Sequence, residues 1–265
     1  MQESEKSLAT QSEFASLDQL TRTPYIRVLT YPKVSLRSAR SRIKQLEKLG
    51  VDGLVFEGHA KIGRLGILGL GTVGVVVKAV SGGTPRALKV RRTDANRPDM
   101  QNEVRIAAMA NRLGIGPQVH AHSKDFILMK LLRYQGLNEW LKGLRGPGTR
   151  STARETVHSI LNQCRTLDIM GVDHGQLSNL RKHVVMAEGK PWIIDFESAS
   201  TSRRPKNVTT AAQYLFIGGK LSPLMRRTLG IRDREALIRR LSDYKSDTSD
   251  FAYSKLLESL KLVTH

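Results

Sequence analysis

One cysteine, Cys164, is present, so no disulfide can close within the chain and a disulfide-stapled exported scaffold is excluded. Aromatic residues make up only 5%, so the core must be mostly aliphatic. No apolar run approaches the roughly 20 residues that a membrane-crossing helix needs. The opening "MQESEKSLATQSEF" lacks the basic-then-apolar order of a signal peptide. These absences set the expectation of a cytoplasmic protein with no membrane segment. Acidic residues are also in deficit: 24 Asp and Glu stand against 43 Lys and Arg, a formal charge of +19. Such an excess attracts polyanions, which makes RNA or a ribonucleoprotein an expected neighbour. The plainer alternative is a basic surface with no dedicated partner.

What is present suffices for a core, with 40% hydrophobic residues in a chain of 265. That length allows one large domain or two small lobes. Residues 1–22 are polar and expected to be frayed. "SLRSARSRIKQLEKLGV" carries Ile43, Leu46 and Leu49 at helical spacing, with Gly50 placed to end the helix. "GLVFEG" and "IGRLGILGLG" read as short strands. "VGVVVKAV" and "PRALKVRR" are strands joined by "SGGT", a hairpin signal. A helix is expected from about Pro98 to Leu113, capped by Asp99, and "DFILMKLL" reads as a buried strand.

From about residue 133 the pattern turns helical, in "LNEWLKGL", in "ARETVHSILNQCRTLDIMG" and near 232–242 and 249–262. "HVVMAEGKPWIIDF" reads as a hairpin turned at Glu188–Lys190, and "GLRGPGTRS" as a surface loop. The expected class is therefore α+β. The divisions expected are an amino-terminal extension with a helix (1–50), a β-rich lobe with one main helix (51–131) and a short, mostly helical lobe (132–265).

"GLGTVGVVV" places Gly69, Gly71 and Gly74 in a G-x-G-x-x-G pattern. A dinucleotide fingerprint would be followed by a helix, whereas here a second strand follows. A glycine turn between two antiparallel strands is the arrangement that covers nucleotide phosphates in kinases. The alternative is a glycine hairpin without a ligand. Val76 falls where that pattern places a valine against adenine. Lys89 lies one hairpin later, on the face opposite Leu88 and Val90. It reads as a phosphate-binding lysine, against the common fate of a solvated strand lysine. Glu103 is the single glutamate of its helix and the candidate partner for Lys89, since neither Arg105 nor Arg112 stands at the i,i+4 spacing of a surface pair. Asp195 ends the apolar run Trp192–Ile194, where a carboxylate is costly unless it is paired or binds metal.

In order and spacing, these motifs resemble the protein-kinase-like superfamily from about Leu54 to Ala199. The chain looks closest to the atypical archaeal predicted serine/threonine kinases near the Rio-type kinases, whose catalytic loop reads roughly "HGELxRPxKHV" before "IDFE". The resemblance implies a two-lobed kinase-like fold, binding of ATP with Mg²⁺ (or Mn²⁺), and transfer of the γ-phosphate to a protein hydroxyl, this chain's own included. It puts Met129 at the gate behind adenine and Asp195 on the metal. "IDFE" also occurs in small-molecule kinases. For a cationic substrate of that kind only Asp168, Asp173 and Glu197 are at hand.

The chain departs from the family in "GVDHGQLSNL". Gln176 stands where a kinase has the aspartate that accepts the substrate proton, and Arg181 falls at the asparagine that binds a second metal ion. A slide of the loop would put His183 at the metal position, with Asn179 or Ser178 supplying an oxygen. Asp173 is the substitute base or a plain loop aspartate, and His174 holds the segment around Asp195 or acts as the base. Two classes of function follow: an active phosphotransferase, or a nucleotide-binding pseudokinase that serves as an assembly module.

Overall fold

The computed structural model describes residues 12–263. They form a mixed α+β protein whose strands all pair antiparallel, and the chain divides into two units. Unit one runs to Arg105 and includes Pro117–Leu132. Unit two holds Ile106–Gly116 and everything from Arg133. No described helix is long and apolar enough to cross a membrane.

Unit one opens with β1 (Glu13–Ser16), a 3-10 turn at Leu17–Thr21, α1 (Ile26–Leu29) and α2 (Leu36–Lys48). Residues 13–21 are therefore structured where fraying was expected. β1 pairs with the strand that follows α2, and Ala15 and Leu20 are buried. Residues 1–11 of the polar opening lie outside the described residues. α2 starts where the Ser35 hydroxyl accepts from Ser38 N at 3.2 Å, and stops at Gly50, whose φ of +65° suits glycine.

The strands follow as β2 (Val51–Phe56), β3 (Ala60–Ile62), β4 (Leu65–Ile67), β5 (Gly69–Leu70), β6 (Gly74–Ser81) and β7 (Thr84–Arg91). Next come α3 (Gln101–Asn111), which begins in unit one and ends in unit two, β8 (Val119–His122) and β9 (Phe126–Lys130). "IGRLGILGLG" is not one strand. It closes the β3–β4 hairpin at Gly63, with φ +59°, and runs on into β5.

The main sheet has the order β1-β2-β6-β7-β9-β8, with β5 on β6. β6 and β7 turn through Gly82 and Gly83, both at positive φ as a tight hairpin requires. Alternation then sorts the faces. Val75, Val77, Ala79, Leu88 and Val90 enter the main core with Leu29, Ala39 and Leu46. Val76 and Lys89, paired in register, take the other face.

Unit two contains β10 (Gln135–Gly136), α4 (Leu137–Gly143), α5 (Thr149–Ile169), a 3-10 turn at Leu177–Asn179, α6 (Leu180–His183), β11 (Val184–Ala187) and β12 (Lys190–Ile193). The β11–β12 hairpin turns at Glu188 and Gly189, both at positive φ. Then come α7 (Asn207–Gln213), a π-helical turn at Tyr214–Gly218, α8 (Ser222–Leu229), α9 (Arg234–Ser246) and α10 (Asp250–Ser259). α5 buries Val157, Ile160, Leu161, Cys164 and Leu167, so the single thiol is a core residue. Its first turn starts inside the expected 143–151 loop, at Thr149.

Candidate functional site

In unit one the three glycines close a hairpin tip. β5 pairs with β6 through Gly69–Val76 and Leu70–Val75, and Gly71 N donates to Gly74 O at 2.8 Å. Arg92 tethers the tip, donating from Nη1 to Gly71 O at 3.1 Å and from its backbone N to Val73 O at 2.8 Å. Gly74 has the clearest steric reason to be glycine: a Cβ there would lie 2.9 Å from Lys89 Cε and 3.0 Å from Cγ. The lysine chain lies across that position.

Lys89 is 5% exposed, and its Nζ donates to Glu103 Oε1 at 2.7 Å. Glu103 is equally buried, with Arg97 Nη1 at 3.8 Å from its second oxygen. Two buried opposite charges hold each other here, and removing one would strand the other. Met129 lies opposite Ala87 in the β7–β9 register, so it shares the face of Lys89 and Val76. It packs against Val73, Met100, Val104 and Ile127.

In unit two, Asp195 follows β12 with φ +67°, in the left-handed region that non-glycine residues seldom occupy. Its side chain is 32% exposed, and Oδ2 lies 3.9 Å from His183 Nδ1. Burial holds the His183 pKa below its ordinary value, while the carboxylates of Asp195 and Glu197 oppose that shift. His174 is fully buried, and its Nε2 faces Ile194 O at 3.1 Å, one residue before Asp195. Burial first, then the neighbouring His183, pulls its pKa down to about 4. His174 is thus a neutral ring with its proton assigned to Nε2, gripping the backbone that presents Asp195.

Asn207 ties this loop down. Its Nδ2 donates to Asp168 Oδ1 at 2.8 Å and Val172 O at 2.6 Å, while its Oδ1 accepts from His174 N at 2.9 Å. Asp168 also accepts from Val208 N and the Tyr244 hydroxyl. No reading of the sequence singled out Asn207. The available signal was its place at the head of "NVTTAAQ", as a polar residue opening a helix.

Asp173 is buried, and its Oδ2 accepts from Arg203 Nε at 2.7 Å. Its backbone bridges Ser200 in both directions. As a substitute base, Asp173 would first have to lose Arg203. Gly175, at φ +82°, leaves room for that arginine: a Cβ would sit 2.5 Å from Nη2. Gln176 is half-buried, and its Oε1 is buried with no hydrogen-bond partner among the described residues. Asn179 N donates to Gln176 O at 3.1 Å, and its side chain lines an open cavity together with Arg181.

Among the described residues, no three His, Cys, Asp or Glu side chains gather as a metal cage. Mg²⁺ wants oxygen ligands and keeps several from water and phosphate, so it needs only one or two carboxylates. Asp195 fits that role, being partly exposed at the end of a fixed turn. His183 suits it poorly as a direct ligand, because imidazole is not a preferred donor to Mg²⁺.

No family model matches the chain. A stretch of 77 residues is 34% identical to the uncharacterized protein MJ1211 of Methanocaldococcus jannaschii, covering 29% of this chain. The chain spans 66% of that protein's length, just under two thirds.

Proposed function

We propose that the chain is an ATP-dependent phosphotransferase of the atypical serine/threonine kinase type, with unit one as the nucleotide lobe and unit two as the catalytic lobe of a two-lobed kinase-like fold. The observation that carries this reading is the buried Lys89–Glu103 pair beside the glycine hairpin. Burying both charges is costly, and a lysine held by a carboxylate is positioned to meet phosphate oxygens. Gly69, Gly71 and Gly74 would bring backbone to the phosphates, and Val76 and Met129 would meet the base. Asp195 would hold Mg²⁺ or Mn²⁺, which when bound neutralises phosphate charge. Gln176 can orient an acceptor hydroxyl through its carboxamide but cannot take its proton as a carboxylate does. Phosphoryl transfer is loose and depends mainly on positioning and charge, so slow transfer to a protein hydroxyl, including the chain's own, is the expected activity.

A second reading is an ATP-binding pseudokinase working as an assembly module, with a ribonucleoprotein as partner for its basic surface. The observation favouring it is that Arg203 pairs with Asp173, the single carboxylate of "GVDHGQLSNL". Incubating the purified chain with labelled ATP and Mg²⁺ or Mn²⁺, beside Asp195→Ala, separates the two. Label that vanishes in Asp195→Ala, and rises by about 10²–10⁴ in Gln176→Asp, is the expected result for the enzyme. Thermal stabilisation by ATP without transfer would leave the pseudokinase. No response to ATP at all would remove both.

A further inference from the structure

A cavity of about 510 Å³ opens within unit two, walled by the 3-10 turn, α6, the end of α7 and the π-helical turn. Its wall is fixed. Tyr214 and Asn138 hydrogen-bond through the hydroxyl at 3.1 and 3.3 Å, and Arg226 donates to Phe216 O inside the π turn. The turn ends at Gly219, where a Cβ would collide with the Tyr214 carbonyl.

The side chains facing this cavity are different in kind. Ser178, Asn179, Arg181, Gln213 and Lys220 line it, with no carboxylate among the lining residues. Arg181 and Lys220 make no side-chain ion pair or hydrogen bond among the described residues, as is also true of Lys206, Arg227 and Arg239, while other cations of unit two are engaged. Arg203 is on Asp173, Arg150 on Leu229 O, Arg204 on Lys245 O and Lys261 on Gly230 O. Two cations, two carboxamides and a hydroxyl among the residues lining one open concavity suit an anion with several acceptor oxygens.

We infer that this cavity is a binding site for a phosphate group, borne by a small molecule or by an RNA strand. The inference does not rest on the nucleotide reading: Ser178 and Asn179 entered that reading as oxygen donors of a shifted loop, but Lys89, Glu103, Asp195 and the glycines do not line the cavity.

The full chain is titrated at low salt with inorganic pyrophosphate, and separately with a labelled single-stranded hexaribonucleotide. Losing a hydrogen bond to a charged group costs about tenfold or more in affinity, so Arg181→Gln/Lys220→Gln should weaken binding by about a hundredfold. The control Arg239→Gln/Arg240→Gln, which removes equal charge from exposed positions of α9, should leave it unchanged. Binding of pyrophosphate alone assigns a small molecule, and binding of the oligonucleotide assigns RNA. The inference is overturned if neither probe binds, if the cavity variant binds as tightly as wild type, or if the α9 control loses as much. Should the cavity variant fail to fold, slowed hydrogen exchange at 213–220 in the wild type on adding probe replaces it, and no slowing overturns the inference.

Discussion

Lys89 and Gln176 are proposed to serve the two ends of one transfer, and their surroundings are built on opposite principles. Around Lys89 the buried charges are matched: Nζ meets Glu103 at 2.7 Å, Arg97 stands beyond, and Gly74 leaves room for the lysine chain. Around Gln176 groups are left over. Among the described residues its own Oε1 has no hydrogen-bond partner, and neither does His174 Nδ1. Buried polar atoms in native proteins are nearly always satisfied, so an orphan calls for an explanation in strain or in a ligand. Unit one presents a buried ion pair beside a glycine hairpin, with Arg97 3.8 Å from the second carboxylate oxygen of Glu103. Unit two presents Asp195 after β12 at a backbone held by His174, and a separate glutamine with one buried oxygen left over among the described residues.

The largest effect should come from breaking the matched side. Glu103→Ala strands a buried ammonium and is expected to cost about 3–5 kcal/mol in denaturant unfolding. Lys89→Met with Glu103→Leu removes both charges and should recover most of that loss while abolishing stabilisation by ATP. If the single variant costs under about 1 kcal/mol, the pair is solvated and the contrast between the two regions fails.

The next test is acid. His174 is buried neutral with a pKa of about 4, against about 6.5 in the unfolded chain. Between those values the unfolded state binds more protons, so stability falls as pH drops from about 6.5 toward 4. The loss should reach ~3 kcal/mol at the lower end, starting from full stability above pH 6.5. Equilibrium unfolding across that range, compared with His174→Gln, isolates the contribution. A flat difference between the two would show that the ring is not buried neutral.

Much of the matched side was legible in the sequence because it depends on local pattern. "SGGT" announces the β6–β7 hairpin, alternation puts Lys89 on the face opposite Leu88 and Val90, and Glu103 has no competing basic partner at helical spacing. The holding contacts of unit two are long-range and carry no local mark. Nothing in "STSRRPKNVTT" says that Arg203 returns to Asp173 or that Asn207 grips the His174 backbone. "NVTTAAQYLFIGG" is rich in β-branched and aromatic residues, poor helix formers that tertiary packing nonetheless winds into α7 and the π turn. β1 escaped for another reason: a strand of four residues is too short to show a period, and it exists because β2 offers an edge. Arg42 escaped as well. It is buried because Leu29 O, Arg91 O and Asp125 all accept from it.

The smallest effect on stability should come from Gly74→Ala, which makes it the sharpest probe of the matched side. Gly74 has no positive φ to protect, so alanine is not strained by its own backbone. The new methyl would meet the Lys89 side chain, 2.9 Å from Cε and 3.0 Å from Cγ, and the Val90 carbonyl at 3.3 Å. The fold should therefore lose no more than about 1 kcal/mol. Lys89 cannot yield without moving an Nζ fixed 2.7 Å from Glu103, so the displacement falls on the lysine's aim. The expected result is a melting temperature close to wild type without nucleotide and a much reduced upward shift with ATP. Equal shifts in the two proteins would mean that the glycine spares only a backbone contact, and that the Lys89 ammonium is not what ATP engages.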